Sequence, residues 1–185
     1  MSQITRRSLV VFGTASLGLA ACGNGIGSGG AAQIDARVDE AHAFLLSRYP
    51  TTRDLINKAV GVLYMPLMTE AGFWFGGAFG RGALRINGIS VDYYAAAEAS
   101  VGPQIGIQQY SHALFFMTEK ALADFRRSDG WALGADARYA TPDGGGAIGT
   151  DTTTTLAPVI ALVYGQSGLI VGATLAGTKY TRIIP

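Results

Sequence analysis

Cysteine is nearly absent: Cys22 is the only one in the chain. No intrachain disulfide can therefore form. Charge is also scarce, at 15% of residues with a formal net charge of +1. That excludes a nucleic-acid partner held through phosphate contacts, which needs clustered Lys and Arg. Histidine occurs twice, as His42 and His112. They lie far apart and have no thiolate or carboxylate companions at ligand spacing, so no metal site and no cofactor is expected. The longest N-terminal apolar run, Leu9 to Leu19, falls short of the roughly 20 residues that a membrane-spanning helix needs.

What is plentiful is apolar material, at 49%, and glycine, with 26 residues. A chain of 185 residues with this much apolar content fits a single domain with one core. Before that domain comes a targeting segment, residues 1–21. Arg6-Arg7 precedes the apolar run, and Thr5-Arg6-Arg7-Ser8-Leu9-Val10 is similar to a twin-arginine export motif. The run ends in Leu19-Ala20-Ala21-Cys22, which resembles a bacterial lipobox. That resemblance implies cleavage before Cys22 and acylation of its sulfur. Gly23 rather than Asp after the cysteine is similar to outer-membrane sorting signals, with the domain facing the periplasm. Several acyl chains would hold the protein firmly, because each buried CH₂ contributes roughly 0.8 kcal/mol. Residues 22–32 carry that cysteine and a Gly/Ser-rich tether, and residues 33–185 form the domain.

Within the domain, Ile34, Val38, Ala41, Leu45 and Tyr49 recur at helical spacing, and Pro50 ends the pattern. On this helix His42 reads as a partly exposed surface residue. Thr51 is placed to cap a short second helix ending near Ala59. The period then changes to two. Val60–Met65 reads as a strand ended by Pro66, with a turn at Thr69-Glu70-Ala71. Asn87-Gly88 marks a hairpin between two longer alternating runs. Thr118 caps a helix through Arg127, and Gly130 stops it. Trp131 to Tyr139 alternates as a half-buried strand. Val159–Tyr164 and Leu169–Leu175 read as a last hairpin, and residues 177–182 as a polar tail. These runs predict an α+β fold, with a mainly antiparallel, glycine-rich sheet, barrel-like or sandwich, and two or three helices.

One stretch stands out. In residues 99–108 the alternation puts Val101, Pro103, Ile105 and Ile107 on one face. Ser100, Gly102, Gln104, Gly106 and Gln108 fall on the other. Glycine inside a strand costs roughly 0.5–1 kcal/mol relative to Ala, so something approaches that face closely: a backbone, an aromatic ring such as Trp74, or a ligand. Gln104 and Gln108 need partners if buried, either inside the sheet or in a polar headgroup.

Six stretches, in order, resemble the SYLF domain family, also described as the lipid-binding or actin-binding SYLF family. They are Ala59-Val60-Gly61-Val62-Leu63, Ala71 to Gly77, Ser100 to Gly106, Phe116-Met117-Thr118, Gly130 to Asp136, and Leu175 to Lys179. The resemblance implies a lipid-associating module without enzymatic chemistry. Eukaryotic members are described as binding phosphoinositides, and some actin. Here Arg37, Arg48, Arg53 and Lys58 are interleaved with Asp35, Asp39, Glu40 and Asp54 and form no basic patch. Affinity for acyl chains or phospholipid is what carries over.

The alternatives for chemistry fail on context. Gly165-Gln166-Ser167-Gly168 is not a nucleophile elbow. Gly76 to Gly82 is followed by no Gly-Lys-Ser/Thr and no helix. Asp143 and Asp151 lie in a Gly/Thr-rich loop that could hold a cation but reads as mobile surface. The sequence therefore predicts an envelope lipoprotein anchored through Cys22, with a non-catalytic lipid-binding domain. The lipid-binding candidates are Phe73, Phe75, Phe79, Gln104, Gln108 and Lys179, the phenylalanines serving either as core or as the wall of an acyl site. The other reading is a structural or protein-interaction module of the envelope with no small-molecule ligand.

Overall fold

A computed structural model describes residues 27–133, 137–140, 157–168, 175 and 177–185; for residues 73–75, 100–105, 137–140 and 166–168 it describes the backbone alone. Helix α1 spans Gly30–Arg48 and α2 spans Thr52–Lys58. Two long strands follow, β1 (Gly61–Ile86) and β2 (Ile89–Phe116), then α3 (Glu119–Arg127). The remaining strands are β3 (Trp131–Ala132), β4 (Ala137–Ala140), β5 (Val159–Gly168) and β6 (Lys179–Ile183). The predicted α+β class with a mainly antiparallel sheet is what the structure shows; among the described residues the one parallel pairing is β4 with β5.

The hairpin of β1 and β2 is the frame. Asn87 at φ 51° and Gly88 at φ 79° form the turn that the dipeptide predicts. β1 pairs with one edge of β2 over almost its whole length. The opposite edge of β2 is shared, with β6 beside Tyr93–Ala97 and β5 beside Gln108–Phe116. Strands this long cannot stay flat, because each twists right-handedly. β1 bends back over itself instead. A Cβ built on Gly82 would stand 1.9 Å from the Tyr64 carbonyl oxygen, and one on Gly80 would stand 2.4 Å from that of Leu67. The ligand or ring that glycine-rich strands invite is, at these two positions, the strand's own backbone.

The bend curls the sheet into a half-barrel with two apolar layers. The inner layer holds Leu63, Met65, Met68, Tyr94, Leu114, Phe116, Val163 and Tyr180, closed at one end by Leu122 and Phe125 of α3. The outer layer holds Val62, Tyr64, Phe115, Ile160, Leu162 and Tyr164. It is covered by Ile34, Val38, Ala41 and Leu45 of α1, the stripe that the helical spacing predicts. Each large aliphatic side chain so buried contributes about 1.5–3 kcal/mol. Polar links fix the angle of α1. Arg85 meets Asp39 at 2.7 Å, and Ser90 and Tyr93 donate to Asp35 at 2.7 and 2.8 Å.

Four expectations are corrected. Pro66 does not end the strand, because it sits where the register shifts between Met65 and Met68 and no ladder N–H is required of it. Thr69-Glu70-Ala71 is mid-strand, paired with Gln109, Gln108 and Ile107. Thr51 makes no side-chain cap; the neighbouring Thr52 is the buried one, and its hydroxyl donates to the Tyr49 carbonyl at 2.7 Å. The polar tail is strand β6, with Tyr180 fully buried. By contrast Thr118 caps α3 as expected, its hydroxyl accepting from the Ala121 N–H at 3.2 Å. Thr118→Ala is expected to lower unfolding stability by about 1 kcal/mol in urea denaturation, with the denaturant slope unchanged.

Candidate functional site

The inner face of β2 carries polar groups at alternate positions: Gln108, Tyr110 and His112 all point into the half-barrel and are buried. Gln108 donates from Nε2 to the Glu70 carboxylate, its cross-strand partner on β1. Oε1 of Gln108 has no hydrogen-bond partner among the described residues. Further along β2, Glu98 accepts from the Thr178 hydroxyl at 2.7 Å. Burial pushes the Glu98 carboxyl above its usual range; the Thr178 hydrogen bond opposes this and the charge of Glu70 adds to it. Burial also raises the Tyr110 hydroxyl, with the charges of Glu98 and Glu70 adding to the effect.

His112 is the centre of this cluster. Its Nε2 is hydrogen-bonded to the Tyr180 hydroxyl at 2.9 Å, and its ring meets those of Tyr110 and Tyr180. Complete burial pushes its pKa down to about 3, so the imidazole is neutral. His42 is partly exposed on α1, as its helical position predicts. It is half-buried, hydrogen-bonded through Nδ1 to the Tyr64 hydroxyl at 2.8 Å, and its pKa is lowered by burial and by the Arg85 charge. The two histidines lie on opposite layers of the sheet and form no common site. Among the described residues no group of His, Cys, Asp and Glu is placed to hold a metal.

The outer face is different. Where α1 begins, a cleft of about 600 Å³ opens between the helix and β1. Gly29, Gly30 and Ile34 form one wall, and Leu67, Thr69 and Phe79 the other. Arg37 and Arg81 stand at its rim, with the Arg81 guanidinium 6.0 Å from the centre of the Phe79 ring. Phe79 is 52% exposed and Leu67 37%, two of several exposed large hydrophobics among the described residues. Phe79 pairs with Ala97, and Ala97 pairs with Lys179. Cross-strand partners share a face, so Phe79, Ala97 and Lys179 form one row across three strands, all of them exposed.

The structure thus brings Phe79 and Lys179 together on the outer face and takes Gln108 to the inner one, bonded within the sheet. The side chains of Phe73, Phe75 and Gln104 lie outside the described residues, as do Cys22 and the Asp143–Asp151 loop. Leu67, Arg37 and Arg81 belong with Phe79 but were not singled out from the sequence. Leu67 follows Pro66, and only the bulge there turns it outward. The buried Glu70 and His112 and the half-buried Glu98 were missed for a related reason. Period two shows which residues share a face but not which face is inside.

Comparison with known families places a match on the second half of the chain. Residues 97–182 match the Ysc84 family, described as "Las17-binding protein actin regulator". The match covers Glu98, Gln108, Tyr110, His112, Thr178 and Tyr180, the greater part of the inner polar cluster. No curated protein matches the chain.

Proposed function

Because residues 97–182 belong to the Ysc84 family, the SYLF domain family whose motifs run through the sequence, we propose that this protein is a membrane-anchored envelope lipoprotein. Its domain binds phospholipid or acyl chain and catalyses nothing. Acylated Cys22 supplies the anchor, probing outward from the outer membrane into the periplasm, and the domain supplies contact with lipid. The observation that carries the reading is Phe79. A phenylalanine more than half exposed, beside exposed Leu67 in an open cleft, is apolar surface that folding left uncovered. The family description names an actin regulator, but actin binding has no counterpart in an envelope protein, and lipid is the family ligand that fits this surface. The inner polar cluster supports the absence of catalysis. His112 is fully buried, and Gln108 and Glu98 are spent on Glu70 and Thr178.

Two measurements test the reading together. Full-length protein purified from membranes is expected to yield phospholipid on organic extraction, in amounts approaching one molecule per chain by mass spectrometry. Cells expressing it are expected to incorporate labelled palmitate into the protein, and Cys22→Ser is expected to abolish the label. Extraction that recovers only background lipid overturns the binding claim. Label that survives Cys22→Ser overturns the anchor.

A further inference from the structure

We propose that the inner face of the half-barrel binds a calcium ion between the carboxylates of Glu70 and Glu98, with the amide oxygen of Gln108 as a third ligand. The inference goes beyond the lipid-binding reading and does not depend on it.

The bend of β1 assembles the site. Glu70 stands opposite Gln108 across the β1–β2 ladder, and Glu98 stands opposite Ala78. Along a straight hairpin these two pairs would lie far apart. The bend that sets Gly80 against the Leu67 carbonyl carries Ala78, and Glu98 beside it, back towards Glu70. Both acids belong to the inner layer. Glu70 follows Met68 by two positions, and Glu98 follows Tyr94 and Ala96 at the same spacing. Their closeness is felt electrostatically: the charge of Glu70 helps to raise the Glu98 carboxyl, and both charges act on the Tyr110 hydroxyl.

Gln108 is an independent sign of a ligand. It is 1% exposed, and its Nε2 donates to the Glu70 carboxylate, which fixes the amide at the acids. Oε1, on the same amide carbon, has no partner among the described residues. Buried polar groups are ordinarily hydrogen-bonded, and buried charges are paired or coordinate metals. Here two carboxylates and one amide carry five side-chain oxygens. The described residues supply them with two donors, Gln108 Nε2 and the Thr178 hydroxyl. No Lys or Arg among the described residues forms an ion pair with Glu70 or Glu98. The cluster is rich in acceptors and short of positive charge, and one cation supplies what it lacks.

The donor set selects the ion. Among the described residues no histidine, thiolate or third carboxylate completes a group with these two acids. The remaining donors are neutral oxygens, which suit a hard cation rather than zinc or copper. Calcium accepts amide oxygens and carboxylates in irregular arrangements, whereas magnesium demands a near-ideal octahedron and keeps most of its water. Two charged ligands match a divalent ion and make a weak site, with Kd of roughly 0.1–1 mM. Once bound, the ion ties β1 to β2 at two places and braces the bend.

The test follows thermal unfolding of the full-length chain in nonionic detergent, first in chelator and then in 10 mM calcium chloride. At the affinity above, calcium is expected to raise Tm by about 3–10 °C. Glu98→Gln keeps an oxygen for the Thr178 hydroxyl but removes a charge. Its Tm in chelator is expected to equal or exceed that of the wild type, because repulsion from Glu70 is relieved, and its calcium gain is expected to fall below about a third of the wild-type value. Asp54→Asn, at an exposed acid on α2, is expected to keep the full gain. A wild-type Tm that calcium leaves unchanged overturns the site. A full gain in Glu98→Gln, or a gain reproduced by sodium chloride at equal ionic strength, overturns it as well. An equal gain from magnesium overturns calcium as the occupant.

Discussion

Gly82→Ala is expected to lower stability by at least about 3 kcal/mol, a fall in Tm of roughly 6–12 °C for a domain of this size. The added methyl would lie 1.9 Å from the Tyr64 carbonyl oxygen, 2.6 Å from Met65 Sδ and 2.9 Å from the Tyr64 carbonyl carbon. The methionine sulfur ends a flexible side chain and can swing aside. The carbonyl cannot, because it belongs to the first half of β1, which is held in register with β2. Relief therefore requires the two halves of β1 to separate, and that opens the bend from which the inner core is built. Gly29→Ala is the control. Nothing lies within 4 Å of its added methyl, so no clash arises; at the N-cap of α1, where Gly is preferred to Ala, the substitution is expected to cost only about 1 kcal/mol. Thermal unfolding of the two variants decides the matter. A Gly82→Ala protein as stable as Gly29→Ala would mean that the halves of β1 do not touch.

Acid is expected to destabilise the fold through His112. The folded-state pKa is about 3, below the ordinary 6.5, so between those values the unfolded chain holds more protons than the folded one. Stability is therefore fully present above pH 6.5 and is lost as pH falls toward 3, by up to roughly 5 kcal/mol in total. His42, also lowered, acts in the same direction. Glu98 acts oppositely. Its carboxyl is raised in the folded state, so just above its ordinary value of 4.5 the folded chain binds the extra proton and gains stability as pH falls. The clean measurement is the difference between wild type and His112→Gln, which offers Tyr180 a partner but does not titrate. Urea unfolding at several pH values should show the wild type losing up to about 1.4 kcal/mol more per pH unit than the variant below pH 6. Parallel curves would show that the imidazole is reached by protons without unfolding.

Much of the framework was legible in the chain. The stripe on α1 is local, since residues three and four apart share a helix face whatever packs on it. Asn87-Gly88 adopts its positive φ values from the chemistry of those two residues, and Thr118 caps α3 by the same kind of local bond. The bulge at Pro66 and the strand at Lys179–Ile183 were hidden because each is defined by a partner. Pro66 is tolerated where the β1–β2 register slips, and residues 179–183 become a strand by lying against Tyr93–Ala97.

The candidate sites divide along the same line. Glycine-rich alternation announced that something approaches the strands closely, and the motifs of the second half announced the family. What fills the space at Gly80 and Gly82 was settled by the bend of β1, which brings in the strand's own backbone. Phe79 and Gln108 read alike in sequence, as residues on alternating strands. Curling the sheet put one at the surface and the other in the interior, bonded to Glu70. The inner cluster joins His112 to Tyr180 and Glu98 to Thr178, pairs 68 and 80 residues apart in sequence. By itself, then, the sequence determined the helices, the turn, the alternation of the strands and the family match over residues 97–182, because these depend on neighbours along the chain. Which face is inside, which polar groups are buried and which apolar ones stay exposed were decided only by tertiary structure, because burial depends on contacts between residues distant in sequence.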